Sequence, residues 1–112
     1  MMGDFNSKGL YEATQYVALA AASTAILGSN NAYLEKMTII PVSTGAATVT
    51  LSDGTTAIAT IPAAAHAVDP HPYTVHYGIR ATGAGFKVVT GTSVSVVAVG
   101  WFGHGAASVT TA

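Results

Sequence analysis

The chain has 112 residues, the length of a single domain that can hold one core. Only 8% of the residues are charged and the net charge is −1, whereas about 25% of residues are charged in an average soluble domain. The basic residues form no run or stripe, so nucleic-acid binding is poorly supported, and the absence of cysteine excludes disulfides and thiolate zinc sites. With so few charges, we expect copies of the chain or a partner to cover much of its surface.

The first segment, residues 1–13, mixes glycine, asparagine, serine and charged residues and predicts an extended arm of the kind that becomes ordered on a partner. It lacks the basic and apolar regions of a signal peptide, and the longest apolar stretch, YVALAAASTAIL, is too short to span a bilayer. Residues 14–27 fit a strand by their alternation and a helix by their alanine content. The strongly β character of the remaining chain favours a long or broken strand here.

Two strands and a hairpin are predicted in the middle of the chain. Residues 33–42 (YLEKMTIIPV) carry apolar residues on both faces, which favours an interior strand that ends near Pro41. Residues 47–52 (ATVTLS) alternate with a clean period of two, so that one face points to a core. Asp53 and Gly54 then predict a hairpin, because glycine tolerates the positive φ that a tight turn needs.

The second half of the chain continues the β pattern after a proline-containing loop at residues 63–72. Residues 73–80 (YTVHYGIR) alternate, and residues 86–90 (FKVVT) form a short strand after a glycine-rich turn. Residues 93–102 (SVSVVAVGWF) are apolar on both faces, which predicts a central strand or a strand with one face packed on a partner.

These elements predict an all-β fold, an antiparallel β-sandwich of jelly-roll type with about eight strands. The expected organisation is an N-terminal arm at residues 1–13, a sandwich domain at 14–103 and a small polar C-terminal tail at 104–112.

The acidic residues provide no catalytic pair. Asp53 is expected to accept N–H groups of its own turn, and acid–base catalysis would require a second carboxylate nearby. No spacing brings Glu35 or Asp69 to it. The sequence also lacks a G-x-S-x-G nucleophile elbow and a glycine-rich phosphate loop that leads into a helix.

Three histidines, His66, His71 and His76, recur every five residues and raise the possibility of a metal site. Residues five apart in a straight strand face opposite sides, so His71 and His76 cannot both bind one ion from such a strand. His66 and His71 lie in or beside the loop and have more freedom to converge. The interpretation we favour is solvent-facing or interface histidines, and we predict no metal, cofactor or catalytic residue.

The aromatic end of the last strand is a candidate interface. Trp101 and Phe102 are adjacent in a strand and therefore face opposite sides. If Phe102 shares the face of Val96, Trp101 lies with Val97 and Val99 on the other. An exposed tryptophan at the end of an apolar face would anchor a partner, and burial of both aromatics in the sandwich is the alternative.

Two segments, YLEKMTIIPVSTGAATVTLSDGTTAIATI (residues 33–61) and PYTVHYGIRATGAGFKVVTGTSVSVVAVGWF (72–102), resemble small virion proteins of tailed bacteriophages. The shared layout is a strand that begins near a leucine, a TVTLSDG hairpin, an extended Y-x-V-x-Y-G-I strand and a closing valine-rich strand with an aromatic end. The resemblance covers residues 14–102 and is greatest to capsid decoration or cement proteins.

The resemblance implies a jelly-roll or sandwich protein that binds the outside of the phage head as a homo-oligomer, dimer or trimer, and stabilises the shell. It implies no catalytic residues, no cofactor, no nucleic acid and no membrane. The expected partners are the major capsid protein and further copies of the chain, on the outer capsid surface of a virion after synthesis in the host cytoplasm. Phe5, Leu10 and Tyr11 are expected to anchor the arm, and Trp101 is a further interface candidate.

Two other functions remain open at this point. One is a phage fibre or tail-associated sandwich that binds a receptor or glycan, which would need exposed aromatic residues on a concave face. The other is an enzyme, which would need clustered acidic or histidine residues beside a cleft.

Overall fold

The computed structural model describes residues 15–28, 32–42, 47–62, 71–102 and 107–111. This part of the chain contains nine strands and no helix, and therefore no helix that could cross a membrane. The strands are β1 (Gln15–Leu19), β2 (Ser23–Leu27), β3 (Tyr33–Pro41), β4 (Val49–Asp53), β5 (Thr56–Ile61), β6 (Tyr73–Arg80), β7 (Phe86–Thr90), β8 (Val94–Trp101) and β9 (Ala107–Thr111). The predicted arm, residues 1–13, lies outside the described residues.

The strands form two antiparallel sheets, sheet A in the order β1-β8-β3-β6 and sheet B in the order β5-β4-β7-β2-β9. Strand β1 pairs with β8, β2 with β7, β3 with β6 and β4 with β5. This is the pairing of one long hairpin rolled up on itself, and the β3–β8 and β4–β7 pairs complete the two sheets. The arrangement is a jelly roll, so the predicted all-β sandwich is confirmed.

The ninth strand falls within residues 104–112, the predicted tail. Strand β9 pairs antiparallel with β2, from Ser23 opposite Thr111 to Leu27 opposite Ala107. Its sequence, ASVTT, combines valine and threonine, which favour strands.

The segment predicted as a long or broken strand, residues 14–27, forms two strands that belong to different sheets. Strand β1 lies in sheet A and β2 in sheet B, and the chain turns between them at Ala20–Ala22. Ala22 has a φ of 56°, a left-handed conformation that costs a non-glycine residue about 1–2 kcal/mol. The turn is held by the Ala22 N–H, which donates to the carbonyl of Gly91 at 2.8 Å.

A buried threonine fixes the same corner. The Thr90 hydroxyl accepts a hydrogen bond from the N–H of Ser23 at 2.9 Å and donates one to the carbonyl of Ala20 at 2.8 Å. Thr90 is only 4% exposed. It therefore ties the last residue of β7 to the point where the chain crosses from sheet A to sheet B.

The core lies between the inward faces of the two sheets. Along β8, buried and half-buried residues alternate without interruption, as expected for a strand with one face in the core. Both β3 and β8 are interior strands of sheet A, as their two-sided apolar sequences predict. The largest buried side chains are Leu19, Leu27, Leu34, Met37, Ile39, Val49, Leu51, Phe86, Val88, Val94 and Val96.

A bulge brings β3 and β8 very close together at one end of sheet A. Leu34 lies opposite Gly100 and Lys36 opposite Val99, so Glu35 is an extra residue on β3. A Cβ atom added at Gly100 would overlap the carbonyl oxygen of Tyr33 and lie 3.0 Å from the Cα of Leu34. Only glycine fits this position without movement of the β3 backbone.

Candidate protein–protein interface

The outward face of sheet A has two halves of different chemistry. The half formed by β3 and β6 carries the charged residues Glu35, Lys36 and Arg80. The half formed by β1 and β8 is uncharged, and its outward side chains are Tyr16, Ala18, Ser95, Val97, Val99 and Trp101. Cross-strand register places Tyr16 beside Val99 and Ala18 beside Val97. We call this uncharged half the β1–β8 face.

Trp101 lies at one end of the β1–β8 face. Phe102 is buried at 4% exposure in the same core as Val96, so Trp101 shares the outward side with Val97 and Val99. The outward position of Trp101 is one of the two arrangements that the sequence leaves open, and burial of both aromatics is the other. Trp101 is half-buried instead of fully exposed.

Tyr33 lies beside Trp101 and extends the aromatic surface across sheet A. The two residues are directly opposite each other in the β3–β8 pair. On the other side of Tyr33, the Arg80 guanidinium lies 5.8 Å from the centre of the tyrosine ring, within the range of a cation–π interaction. The end of the sheet therefore presents a tryptophan, a tyrosine and an arginine in adjacent strands.

The outward face of sheet B is polar but almost uncharged. One row of residues crosses all five strands through directly opposed pairs, and its members are Thr60, Thr50, Val89, Thr24 and Thr110. Lys87 is the charged residue that we find on this face within the described part of the chain. Apart from Lys87 and the exposed Ile26, the face is mainly threonine, serine and valine, and Thr50 and Ser52 of β4 are on it as predicted.

The β4–β5 hairpin has a loop of two residues. Asp53 pairs with Thr56, so the hairpin loop is Gly54 and Thr55. Gly54 has a φ of 61° and Thr55 does not have a positive φ, which is the pattern of a type II′ turn with glycine in the first position.

The carboxylate of Asp53 holds a neighbouring loop and not its own turn. It accepts the N–H of Thr82 at 2.8 Å, the N–H of Gly83 at 3.1 Å and the Thr82 hydroxyl at 3.3 Å. The prediction that its donors belong to the hairpin turn is therefore wrong. The Gly54 N–H also donates to the carbonyl of Gly85, so the β4–β5 hairpin and the β6–β7 loop pack against each other.

The N–H of Thr82 lowers the pKa of Asp53 below its ordinary value of 3.8, with help from the N–H of Gly83 and against an opposing effect of burial. A lowered pKa means that the carboxylate stabilises this contact fully above its unfolded-state pKa, and that the contribution is lost as pH falls through the folded-state value. The contact is therefore intact at neutral pH.

We expect Asp53→Asn to loosen the β6–β7 loop without unfolding the domain, because the amide offers one acceptor oxygen in place of two. Hydrogen exchange of the Thr82 and Gly83 amides should become several-fold faster at neutral pH. In the unsubstituted protein the protection of these amides should persist on acidification and disappear only below pH 3.8. Glu35→Gln, which removes a carboxylate elsewhere, is the control. Equal protection in Asp53→Asn and the control would contradict the assigned contact.

The histidines do not form a metal site in the described residues. His71 lies just before β6, with its ring centre 6.2 Å from that of Tyr73. His76 is exposed on the outward face of β6, opposite Lys36. Within the described ranges, no three His, Cys, Asp or Glu side chains are placed to hold a metal ion. His66 and Asp69 lie outside those ranges.

Tyr73 and Tyr77 occupy the inward face of β6, as predicted, and pack against the core while remaining half-buried. Burial raises the pKa of both phenols above the ordinary value of 10.0, and for Tyr77 the nearby Tyr73 raises it further. Both side chains are therefore neutral at physiological pH, and they have a packing role.

The predicted arm anchors Phe5, Leu10 and Tyr11 lie outside the described residues, so their role remains a prediction. At the start of β1, the side-chain oxygen of Gln15 accepts the N–H of Phe102 at 2.7 Å. Strand β1 therefore begins at the end of the β1–β8 face that carries Trp101.

No protein-family model matches the chain, and no curated protein matches it. Among solved structures, the chain is similar to a chain in the cryo-EM structure of the virus-like particle of the extra small virus of the giant freshwater prawn, Macrobrachium rosenbergii. The two are 19% identical, the match covers 77% of this chain and 73% of that chain, and the TM-score is 0.34. A similarity at this level carries no argument about function.

Proposed function

We propose that the chain is a structural virion protein of a tailed bacteriophage, a capsid decoration or cement protein that binds the outer surface of the head as an oligomer. The observation that carries the proposal is the chemistry of two outward faces: the β1–β8 face of sheet A carries no charge, and Lys87 is the charged residue that the described part of sheet B presents. The resemblance of residues 14–102 to decoration proteins supports it. The fold is compatible, because jelly rolls are common in viral capsid proteins as well as in lectins and cupins, but a fold alone does not define a function.

Surfaces of this kind suit burial against another protein. Interface cores are depleted of lysine, glutamate and aspartate and enriched in aromatic residues. Threonine and valine can be covered without the high desolvation cost of a charged side chain. Tyr16, Val99 and Trp101 on the β1–β8 face have the composition of such a core.

A decoration protein acts by mass action and not by chemistry. Binding to the assembled shell but not to free subunits shifts the equilibrium towards the shell. An oligomer that contacts several capsid subunits gains further avidity from its linked sites. Each copy therefore needs only modest contacts, which uncharged sheet faces and a terminal arm can supply.

The proposal includes no catalytic step and no cofactor. The carboxylate of Asp53 is committed to the loop at Thr82 and Gly83. We propose the major capsid protein and further copies of the chain as partners, on the outer head surface after synthesis in the host cytoplasm. Trp101 and the arm residues Phe5, Leu10 and Tyr11 are the proposed anchors.

Purified protein added to phage heads that lack it should bind until a fixed ratio to the capsid protein is reached, and should raise the temperature at which the heads rupture. Deletion of residues 1–12 should weaken binding, because the arm supplies apolar anchors. The control is Thr92→Ala, which alters an exposed residue in the turn between β7 and β8 at the opposite end of the sandwich and should bind normally. Unchanged binding after the deletion would contradict the role of the arm, and failure of the full chain to bind would contradict the proposed function.

A second candidate is a fibre or tail-associated binding module. Tyr16 is 71% exposed, and exposed aromatic rings on a jelly roll are suited to glycan binding as well as to protein contacts. Specific binding on a glycan array, abolished by Tyr16→Ala, would favour this candidate over the first.

A further inference from the structure

We propose that strand β1 pairs antiparallel with β1 of a second copy across a two-fold axis, which joins the two four-stranded sheets A into one continuous sheet. The inference deepens the proposed homo-oligomer by naming its interface. It rests on the edge chemistry of β1, on the side chains that border the edge and on the positions of the charges.

Within the described residues, strand β1 is an edge without the usual protection against pairing. It pairs with β8 on one side, and no described strand lies on the other. Its sequence, QYVAL, has no charge and no proline, and its register with β8 runs without a bulge from Gln15 to Leu19. An edge strand that has no charge, no proline and no bulge is a template for the addition of another strand.

The opposite edge of sheet A, β6, is protected. Its register with β3 shifts by one residue between Ile79 and His76, where Gly78 has a φ of 62°. Its exposed side includes Arg80. A bulge and exposed charges are the usual devices that prevent edge pairing. Within sheet A, the β1 edge can therefore accept another strand and the β6 edge is protected from one.

The side chains of β1 fit a two-fold pairing centred on Val17. This register places Tyr16 of each copy opposite Ala18 of the other, a large residue against a small one at both positions. Tyr16 is the most exposed aromatic residue of sheet A at 71%, and Val97 and Val99 border it from β8. Pairing would unite the β1–β8 faces of the two copies into a single uncharged surface.

A two-fold axis brings the residues beside it near their own copies, so charges close to the axis would repel. Sheet A has no charged residue on β1 or β8. The charged residues nearest to the proposed axis, Glu35 and Lys36, lie on β3. With strands about 4.8 Å apart, β3 is about 24 Å from its counterpart across the axis. This distance exceeds the Debye length of about 8 Å at physiological ionic strength.

Ala18→Lys tests the proposal, because it places a like charge beside the axis at an exposed position that the fold tolerates. Thr110→Lys is the matched control, since it adds the same charge at an exposed position on β9, an uncharged edge strand of sheet B. In sedimentation experiments over a concentration series, the unsubstituted chain and Thr110→Lys should form dimers. Ala18→Lys should dissociate at least about tenfold more readily, a change of about 1.4 kcal/mol.

Cysteine cross-linking tests the register, because the chain has no cysteine of its own. A mixture of Tyr16→Cys and Ala18→Cys proteins should form a disulfide-linked heterodimer on mild oxidation, in higher yield than either variant alone. Cross-linking confined to identical variants, or none in the mixture, would overturn the proposed pairing. So would a monomeric unsubstituted chain, or dissociation by Thr110→Lys and not by Ala18→Lys.

These experiments contain no phage heads, so they separate the interface from the proposed function. If the chain dimerises through β1 but does not bind heads, the decoration function fails and the interface stands. If it binds heads while Ala18→Lys remains dimeric, the interface fails and the function stands.

Discussion

Gly100→Ala is expected to lower the free energy of unfolding by about 3 kcal/mol, the upper range for an overpacked position. The added Cβ would overlap the Tyr33 carbonyl oxygen and crowd the Cα of Leu34. Both neighbours are backbone atoms, so a side-chain rotation cannot relieve the contact. The β3–β8 pair would have to separate at the bulge, which lies in the interior of sheet A. Urea unfolding followed by circular dichroism measures the change.

Ser95→Ala is the control for this prediction. Ser95 lies on the outward face of the same strand and is half-buried, and substitutions at such positions usually change stability by less than about 0.5 kcal/mol. A Gly100→Ala protein as stable as Ser95→Ala would mean that β3 and β8 do not approach each other as closely as described.

The second large effect is expected at the corner between the sheets. Thr90→Val keeps the shape of the side chain but removes the acceptor of the Ser23 N–H and the donor to the Ala20 carbonyl. Each loss of a hydrogen-bond partner in a buried site costs about 1–3 kcal/mol. We expect Thr90→Val to destabilise the domain by about 2 kcal/mol in urea unfolding, although valine is more apolar than threonine.

Thr90→Ser distinguishes the hydroxyl from the methyl group at this position. Serine keeps both hydrogen bonds and removes one methyl group, at a cost of about 1 kcal/mol. The expected order of stability is therefore threonine, then serine, then valine. If the valine variant is more stable than the serine variant, packing and not hydrogen bonding holds the corner.

The all-β sandwich was predictable because strands and turns follow from patterns of neighbouring residues. A period of two over residues 47–52, a glycine at the hairpin and a two-sided apolar strand at 93–102 are local signals, and the two sheets follow from them. These signals also predict that Trp101 and Phe102 face opposite sides. How far Trp101 is buried depends on Tyr33 in the neighbouring strand, and that neighbour is set by the strand order.

The contacts between distant residues were not predictable from the sequence. The donors to Asp53 lie 29 and 30 residues along the chain, in a loop that the jelly roll brings to the hairpin. The alternation of residues 86–90 places Thr90 on the face of Phe86 and Val88, but the partners of its hydroxyl, Ser23 and Ala20, lie 67 and 70 residues away in the chain. The division of sheet A into an uncharged half, β1 and β8, and a charged half, β3 and β6, likewise depends on the strand order.

The two proposals assign different work to two parts of the β1–β8 face. Tyr16 and Ala18 border the free edge and are proposed to join two copies. Trp101 lies on the neighbouring strand, at the end of the face where β1 begins with Gln15, and is proposed to contact the capsid protein together with the arm. A dimer built in this way would carry two arms and two tryptophans, and would gain avidity on a shell with repeated sites.

The copy number of the chain in purified virions tests the central claim most directly. Quantitative mass spectrometry of virions should find the chain in a fixed ratio to the major capsid protein, near one to one or a simple fraction of it. This is the expected result for a protein that binds every equivalent site of a symmetrical head. Absence from virions, or only a handful of copies per particle as in a tail or fibre, would contradict the decoration function.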